Sequence, residues 1–232
     1  MFVCCVPRSS AEFLRVLSLE QSLFGHLSVP PETAKNFFRV RPEIYQAVIG
    51  PAETLAAYSS VYPLKPHWAQ AFIAGEIGEP ELEPHMLLER DESLEGATLY
   101  VGSVVVADHY NAATKSLLVA SLIAWRAKQL DVAALRRFSV IATPLTAHGH
   151  RLLRHGGATL LADGSSRRDG CSVYGREITH GYHSRVLAGV EKLLNGSVVE
   201  MKYNFPRHEK RPPRVPAVAE TAAREVSLPS LS

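Results

Sequence analysis

The turn from Asp108 to Ser116 carries side chains suited to binding an anion. Asp108, His109 and Tyr110 follow a run of valines, and the sequence Asn111-Ala112-Ala113-Thr114-Lys115-Ser116 then opens an apolar helical pattern. The first amide N–H groups of a helix lack intrahelical partners, and the helix dipole adds partial positive charge there. We therefore predict a site for the phosphates of a nucleotide-containing cofactor, with Lys115 and the hydroxyls of Thr114 and Ser116 supplementing the amides. The alternative is an ordinary capped helix start with a solvated lysine.

A central strand and a buried helix must position this turn. Residues 98–106 are rich in β-branched and aromatic side chains, and Val104, Val105 and Val106 leave the end of the run without a polar face. A strand that is apolar on both faces belongs in the middle of a sheet with layers packed above and below it. Residues 112–125 contain no Gly or Pro and repeat apolar residues at helical spacing, which predicts the helix.

The remaining elements are predicted from caps, chain breakers and apolar spacing. Helices are expected at residues 9–24, 30–38, 67–77, 143–155 and 184–195, the fourth with Thr143 as its N-cap and Gly156-Gly157 as its stop. Strands are expected at residues 44–49, 54–62, 137–142, 158–162, 171–178 and 197–203. The first two of these strands form one hairpin, and the strands at 158–162 and 171–178 form a second. Residues 79–96 are acidic with mixed signals, and a loop and a short helix both remain open.

Composition and charge limit the class of protein. The chain has 232 residues, of which 46% are hydrophobic and 21% charged, and its formal net charge is +2. This balance does not favour nucleic acid as a partner, and no apolar run approaches the roughly 20 residues of a membrane span. Three cysteines do not form a disulfide framework, and the N-terminus lacks a basic leader, so we expect a cytoplasmic protein. One domain over residues 1–205 is predicted, followed by a Pro- and Arg-rich tail without fixed structure over residues 206–232.

The order of elements and several local sequences resemble the GNAT superfamily of N-acyltransferases. The resemblance covers residues 44–178 and is carried by Tyr58-Ser59-Ser60-Val61-Tyr62-Pro63-Leu64 and by Leu99-Tyr100-Val101-Gly102-Ser103-Val104-Val105-Val106 followed by Asp108-His109-Tyr110. It implies an α/β (α+β) fold with a mixed, mostly antiparallel central sheet flanked by helices. It also implies an activity: transfer of an acetyl or other acyl group from acyl-coenzyme A, as co-substrate, to a small-molecule or protein amine.

The same resemblance implies where the co-substrate binds. The backbone of Val104, Val105 and Val106 would face its pantetheine arm, and residues Asn111, Ala112, Ala113, Thr114, Lys115 and Ser116 would form the pyrophosphate loop. The chain departs from the family pattern here, because Thr114 and Ser116 stand where the family has glycine or alanine. It departs again at two chemical positions, with Gly102 in place of a carboxylate and Leu153 in place of a tyrosine. No catalytic residue is assigned; Tyr58, Tyr62, Ser103, Asp108, His109 and Tyr174 are polar substitutes that the sequence does not rank.

Two alternatives follow from these departures. One is a non-catalytic binding or regulatory protein that keeps the fold, and the other is an acyltransferase that uses acyl-carrier-protein thioesters. No metal is predicted, because the spacing of His148 and His150 on a helix turns their side chains about 200° apart. Cys4, Cys5 and Cys171 are interpreted as inert thiols.

Overall fold

A computed structural model of the protein describes residues 1–131, 134–196 and 201–204. Eight strands form one sheet: β1 (Phe2–Cys5), β2 (Tyr45–Ile49), β3 (Leu55–Leu64), β4 (Thr98–Val106), β5 (Arg137–Ala142), β6 (Thr159–Ala162), β7 (Val173–Thr179) and β8 (Met201–Asn204). Their order across the sheet is β6-β7-β5-β4-β3-β2-β1-β8. The β4–β5 and β1–β8 pairs are parallel and the other five pairs are antiparallel. The predicted mixed, mostly antiparallel sheet is therefore confirmed.

Six helices flank this sheet in the described part of the chain: α1 (Ser10–Phe24), α2 (Pro31–Val40), α3 (Pro66–Ala74), α4 (Ala112–Gln129), α5 (Ala147–His155) and α6 (His180–Asn195). One face of the sheet packs against α1, α2 and α3 through apolar residues such as Phe13, Phe37 and Phe72. The other face packs against α4 through Leu118, Leu122 and Trp125, and α6 lies against α4. Helices therefore cover both faces of the sheet, and β4 has the predicted central place. The end of its valine run is more exposed than predicted, because Val105 is buried whereas Val104 is 46% exposed.

A bulge changes the direction of the backbone groups in β4. Ser60 and Val61 of β3 are neighbours in sequence, yet they pair with Ser103 and Val101 of β4, so Gly102 is the extra residue. A bulge of this kind bends its strand and increases the local twist. The parallel pairing of β4 with β5 runs only from Thr98 to Val101, and therefore stops at the bulge.

Three sequence-based assignments differ from the structure. Strand β1 was not predicted, although Phe2, Cys4 and Cys5 are buried in it. Helix α5 begins at Ala147 rather than after Thr143, because Thr146 accepts the cap hydrogen bond from the Gly149 amide at 3.0 Å. Helix α6 begins at His180 rather than Ser184.

Other boundaries are close to prediction. Strands β4 and β5 have the predicted limits, and both predicted hairpins form. The acidic segment 79–96 contains two single 3₁₀ turns, Glu79–Glu81 and Pro84–Met86, and no longer helix. Residues 197–200 of the last predicted strand, and the tail from residue 206, lie outside the described residues. No helix of the described chain combines the length and the apolar character needed to cross a bilayer.

Candidate active site

The second half of β4 has an edge without a partner strand. From Gly102 to Val106 this strand pairs with β3 on one side, whereas β5 ends at Ala142, opposite Val101. We call this stretch of β4, on the side of β5, the open edge. An unpaired edge presents a row of backbone donors and acceptors to any extended chain that lies beside it.

The hydrogen-bond pattern shows which groups face the open edge. The Ala107 amide donates to the Ala56 carbonyl at 2.9 Å, and backbone groups alternate between the two sides of an antiparallel ladder. The amides and carbonyls of Ser103 and Val105 therefore point toward β3, and those of Val104 and Val106 point away from it. Among the residues that the structure describes, no group hydrogen-bonds to the backbone of Val104 or Val106. This arrangement can receive an extended chain bearing amides.

The start of α4 lies just beyond the open edge and is partly capped. The Asn111 side chain accepts a hydrogen bond from the Thr114 amide at 2.9 Å, and the Ser116 hydroxyl donates to the Ala112 carbonyl at 3.0 Å. The amides of Ala112 and Ala113 have no partner among the described residues, and both residues are exposed. We call the predicted anion site at residues 111–116 the corner, and it keeps two free amides.

Lys115 is the cation at this corner. Its Nζ lies 3.3 Å from the Asp108 carboxylate. The Asp108 side chain is fully exposed, and ion pairs at the surface contribute only about 0–1 kcal/mol. A phosphate can therefore compete for Lys115 at little energetic cost. The predicted residues from Asn111 to Ser116 lie together at the corner, and their binding role remains a prediction.

A buried carboxylate lies beside the bulge. Glu79, in the first 3₁₀ turn after α3, accepts a hydrogen bond on Oε2 from the Tyr100 hydroxyl at 2.5 Å, and the same hydroxyl lies 2.9 Å from Thr143 Oγ1. Burial raises the pKa of Glu79 to about 8, the Glu20 carboxylate adds to the rise, and the Tyr100 hydrogen bond opposes it. A carboxyl group whose pKa lies near neutrality can accept and return a proton under physiological conditions.

Gly102 makes room for this carboxylate. A Cβ atom at Gly102 would lie 2.9 Å from Ser60 Oγ, 2.9 Å from the Tyr62 ring and 3.1 Å from Glu79 Oε1. The position where the family resemblance leads us to expect a carboxylate on β4 is therefore faced by a carboxylate from another segment. The absence of a side chain at Gly102 is the condition for Glu79 to approach the strand.

Glu79 belongs to a larger buried polar group, which we call the acid–tyrosine cluster. Its members are Glu20 on α1, Tyr45 on β2, Tyr58, Ser60 and Tyr62 on β3, Tyr100 and Ser103 on β4, and Glu79. Ser103 donates a hydrogen bond to Glu20 Oε1 at 2.8 Å, and burial raises the pKa of Glu20 above its usual range. All eight side chains lie on the sheet face that α1, α2 and α3 cover.

Three polar atoms of this cluster lack a hydrogen-bond partner within the described structure: Glu20 Oε2, Ser60 Oγ and Glu79 Oε1. The Tyr45 and Tyr62 hydroxyls interact with each other, and the Tyr58 hydroxyl interacts with that of Ser103. An unsatisfied buried polar group costs about 1–3 kcal/mol. Three of them would offset a large share of the roughly 5–15 kcal/mol that stabilises a domain, so these atoms need partners from ordered water or from a ligand.

The polar candidates from the sequence fall in three places. Tyr58, Tyr62 and Ser103 are in the acid–tyrosine cluster, whereas Asp108 and His109 are exposed at the turn before α4. Tyr174 lies opposite Ala142, the last residue of β5. Its hydroxyl lies 3.4 Å from His150 Nδ1 and 3.3 Å from Arg154 Nη2, so Tyr174 is separate from Glu79.

Glu20, Glu79 and Tyr100 were missed by the sequence reasoning. Glu20 is the one glutamate at an inward position of the otherwise apolar face of α1, beside Phe13, Val16 and Leu17, and that break in the pattern was an available signal. Glu79 lies in the acidic segment, where nothing local distinguishes it from its exposed neighbours. Leu153, where a tyrosine was expected, is half-buried on α5 and brings no acid.

The histidines and cysteines do not form a metal site within the described residues, where no group of three or more potential ligands converges. The His148 side chain lies outside that description. His180 and His183 stack edge to face with ring centroids 5.0 Å apart. Cys4 and Cys5 are buried and Cys171 is half-buried, and all three are free thiols. Burial raises the pKa of Cys4 to about 12 and that of Cys5 to about 11, so both stay protonated at neutral pH.

Comparisons with known proteins return acetyltransferases of the GNAT family. No family model and no curated protein matches the chain. An acetyltransferase of the GNAT family from Listeria monocytogenes is similar at a TM-score of 0.43 and 12% identity, over 76% of this chain and 95% of that one. Arabidopsis thaliana NAA60 bound to a bisubstrate analogue is similar at a TM-score of 0.45 and 13% identity, over 77% of this chain and 100% of that one.

A CoA-dependent acyl-homoserine lactone synthase, BjaI, solved with SAM and isopentyl-CoA, is also similar. Its TM-score is 0.48 at 13% identity, over 89% of this chain and 94% of the synthase. The structures thus include members of the superfamily that the sequence resembles. At these identities and scores they do not indicate a substrate, and we argue function from the residues of this chain.

Proposed function

We propose that this chain is an N-acyltransferase that takes an acyl group from acyl-coenzyme A and transfers it to an amine. The open edge of β4 is the observation that carries the proposal. Its unpaired backbone groups at Val104 and Val106 match a chain of spaced amides such as pantetheine, and it leads to the free amides at the start of α4. Tight pairing on both sides of β4 would have left no room for such a chain.

The residues divide into those that hold the donor and those that act on the acceptor. Val104 and Val106 would hold the pantetheine amides through their backbone. Ala112 and Ala113 would bind phosphate through their amides, with Lys115 released from Asp108. The donor supplies an activated thioester carbonyl. At the bulge, Glu79 is the group able to accept a proton from the amine, and Tyr100 and Thr143 orient its carboxylate.

The transfer balances with one proton moved. The neutral amine nitrogen forms a bond to the thioester carbonyl carbon, and the bond between that carbon and sulfur breaks. Nitrogen loses one proton to Glu79, and the departing thiolate gains one proton from the same group or from water. Holding both reactants together at the bulge supplies much of the rate enhancement, and proton acceptance by Glu79 adds to it.

A proline at Val104 tests the open edge. The Val104 amide faces the open edge and takes no part in the β3 ladder, so Val104→Pro should fold while weakening coenzyme A binding about tenfold or more. Val105→Pro is the matched control, because it removes a ladder amide and should destabilise the protein by about 3 kcal/mol or more. Calorimetry with coenzyme A and thermal unfolding give both readouts. Unchanged affinity in a folded Val104→Pro variant would contradict the proposal.

A second candidate is an acyltransferase that uses an acylated carrier protein. The partly capped corner favours it, since Asn111 occupies the Thr114 amide and Asp108 holds Lys115. A carrier protein presents the same pantetheine arm to the open edge, and its binding depends less on phosphate contacts at the corner. Thiol release measured with acyl-coenzyme A and with acylated carrier protein separates the two donors. Turnover with free acyl-coenzyme A alone rejects the carrier, and absence of turnover with either donor rejects both candidates.

A further inference from the structure

We propose that the acid–tyrosine cluster binds the acceptor, and that the acceptor is a small diamine carrying two positive charges and no carboxylate. This proposal rests on the proposed acyl transfer and names its substrate class. It is carried by three buried polar atoms without partners, Glu20 Oε2, Ser60 Oγ and Glu79 Oε1, which lie on three different elements at one face of the sheet. These atoms include one free oxygen on each of two buried carboxylates, Glu20 and Glu79.

The cluster contains two buried carboxyl groups and no cation beside either of them. Within residues 1–131, 134–196 and 201–204, neither Glu20 nor Glu79 forms an ion pair with Lys, Arg or His. Glu20 is bonded by the Ser103 hydroxyl and Glu79 by the Tyr100 hydroxyl. A buried carboxylate is stable when it is paired or neutral. Two ammonium groups would supply one partner to each.

The tyrosines suit a cationic ligand with a short apolar linker. Tyr45, Tyr58, Tyr62 and Tyr100 are fully buried, and the ring centroids of Tyr45 and Tyr62 lie 6.5 Å apart and those of Tyr62 and Tyr100 lie 5.9 Å apart. Aromatic faces attract ammonium groups and also pack against methylene groups. The Tyr45, Tyr58 and Tyr62 hydroxyl oxygens have lone pairs that can accept hydrogen bonds from ammonium groups.

The proposed reaction places one end of the diamine. Glu79 faces Gly102 at the bulge, beside the open edge that would hold the donor. The ammonium group beside Glu79 is therefore the one that reacts. It first loses one proton through the Glu79 carboxylate to water, and the neutral amine then attacks the thioester and gives its next proton to Glu79. The ammonium group beside Glu20 stays charged and anchors the molecule. A carboxylate on the ligand would lie beside Glu20 or Glu79 without neutralising either group, which disfavours amino acids as acceptors.

The cluster is closed in this structure, which favours a small acceptor over a protein. Glu20 and the four tyrosines have no exposed surface. Entry requires movement of the segment that carries Glu79, which is attached at Glu81 by hydrogen bonds to the Gly78 amide and to Arg168. A small diamine needs only a transient opening, whereas a polypeptide needs a permanent groove.

Calorimetry on the full-length protein tests this proposal in two stages. Coenzyme A is titrated first, because its failure to bind would count against the proposed donor. A series of straight-chain diamines from three to six carbons is then titrated, with pentylamine and 5-aminopentanoate as matched ligands that lack the second positive charge. We expect one member of the series to bind at least tenfold more tightly than either matched ligand.

Three variants assign that binding to the cluster. Glu20→Gln should weaken binding of the diamine at least tenfold, while the affinity for pentylamine should change less than twofold. Diamine binding near pH 7 should release protons from Glu79, seen as a dependence of the binding heat on the buffer, and Glu79→Gln should abolish that release. Glu76→Gln, at an exposed glutamate of the same segment, is the matched control and should behave as the unchanged protein.

Should Glu20→Gln fail to fold, Tyr58→Phe removes one hydroxyl of the cluster and keeps the ring, and it should weaken diamine binding several-fold. Coenzyme A binding without binding of any diamine would overturn this inference and leave the acyltransferase proposal standing. An affinity for the diamine that is unchanged in both Glu20→Gln and Tyr58→Phe would also overturn it, because the ligand would then lie elsewhere. Equal affinity for 5-aminopentanoate would reject the substrate class.

Discussion

At the scale of single residues, Glu79 is a carboxyl group whose pKa depends on the hydrogen bond from Tyr100. Burial raises the pKa of Glu79, and the hydrogen bond from Tyr100 lowers it, so that the carboxyl titrates at about 8. Desolvation disfavours the charged form and a donated hydrogen bond favours it. The balance between burial and one hydroxyl therefore sets the pH at which Glu79 can act as a base.

Glu79→Gln should lower kcat/KM by about a hundredfold or more, the usual contribution of a general base. In the unchanged protein kcat/KM should rise with pH through about 8, because Glu79 must be ionised to accept a proton. Removal of the carboxyl should abolish that rise. Steady-state rates from pH 6 to 9 give the measurement.

Tyr100→Phe gives the matched test of the pKa assignment. It removes the hydrogen bond that favours ionised Glu79, so the rise in kcat/KM should move to higher pH. A profile that is unchanged in both variants would exclude Glu79 as the titrating base.

At the scale of elements, the bulge in β4 links the donor site to the acid–tyrosine cluster. Gly102 is the extra residue of the bulge, pairing with β5 stops beside it, and its bare Cα faces Ser60, Tyr62 and Glu79. One local irregularity thus ends the parallel pairing and admits a carboxylate from a different segment. Bulges next to active sites commonly re-aim groups in this way.

Gly102→Ala should destabilise the protein by about 1–3 kcal/mol, because the Tyr62 ring and Ser60 would have to move to accept the methyl group. Gly189→Ala is the matched control, since a Cβ there meets no atom within 4 Å on α6. That change should stabilise the protein by about 0.5–1 kcal/mol, as expected for a helix interior. Chemical denaturation measures both free energies of unfolding. Equal effects at the two sites would show that the cluster does not press against Gly102.

At the scale of the whole molecule, two buried carboxylates make stability depend on pH. The pKa values of Glu79 and Glu20 are raised in the folded protein, so the folded state retains protons that the unfolded state releases above its ordinary glutamate pKa. Their stabilising contribution is therefore full at acid pH, below the unfolded pKa, and declines as pH rises through the folded pKa of about 8 for Glu79.

Between pH 5 and 9 the Tm of the unchanged protein should fall relative to that of Glu79→Gln. For a pKa shift of this size, the free energies of unfolding of the two proteins should differ by the order of a few kcal/mol. This corresponds to a difference in Tm of roughly 5–10 °C in a chain of this length. Calorimetric or fluorescence melts in matched buffers measure it. Parallel Tm curves for the two proteins would contradict a raised pKa for Glu79.

The sheet also depends on residues at the start of the chain. Strand β1 lies between β2 and β8 and pairs with both, and Phe2, Cys4 and Cys5 are buried there. Deletion of residues 1–5 should lower Tm by roughly 10 °C or more, because it removes several buried apolar side chains and separates β8 from the sheet.

A chain ended after residue 205 is the complementary test of the predicted domain boundary. It should keep the Tm within about 2 °C and bind coenzyme A as before, if residues 1–205 form the domain. A large loss of stability in that shorter chain would reject the boundary.

Local patterns in the sequence were sufficient for most of the elements, though not for β1, and for the central place of β4. The valine run, the cap of α1 at Ser9 and the Gly156-Gly157 stop of α5 act over a few residues, so they can be read without the fold. Helix α5 was placed three residues early because Thr143 and Thr146 are equivalent as caps in sequence. In the structure Thr146 accepts the cap hydrogen bond from the Gly149 amide, whereas the Thr143 hydroxyl lies beside that of Tyr100.

Hydrophobic spacing and turn residues act locally, so they were enough to predict the central strand and the polar turn that precedes α4, whereas the mixed sheet was implied by the family resemblance. The approach of Glu79 and Glu20 to β4 could be seen only in the folded chain, since they lie on separate segments and bond to Tyr100 and Ser103, on either side of the bulge. The open edge likewise depends on where β5 ends beside β4. The pKa of a carboxyl is set by the groups that surround it in space, and its neighbours in the chain do not reveal them.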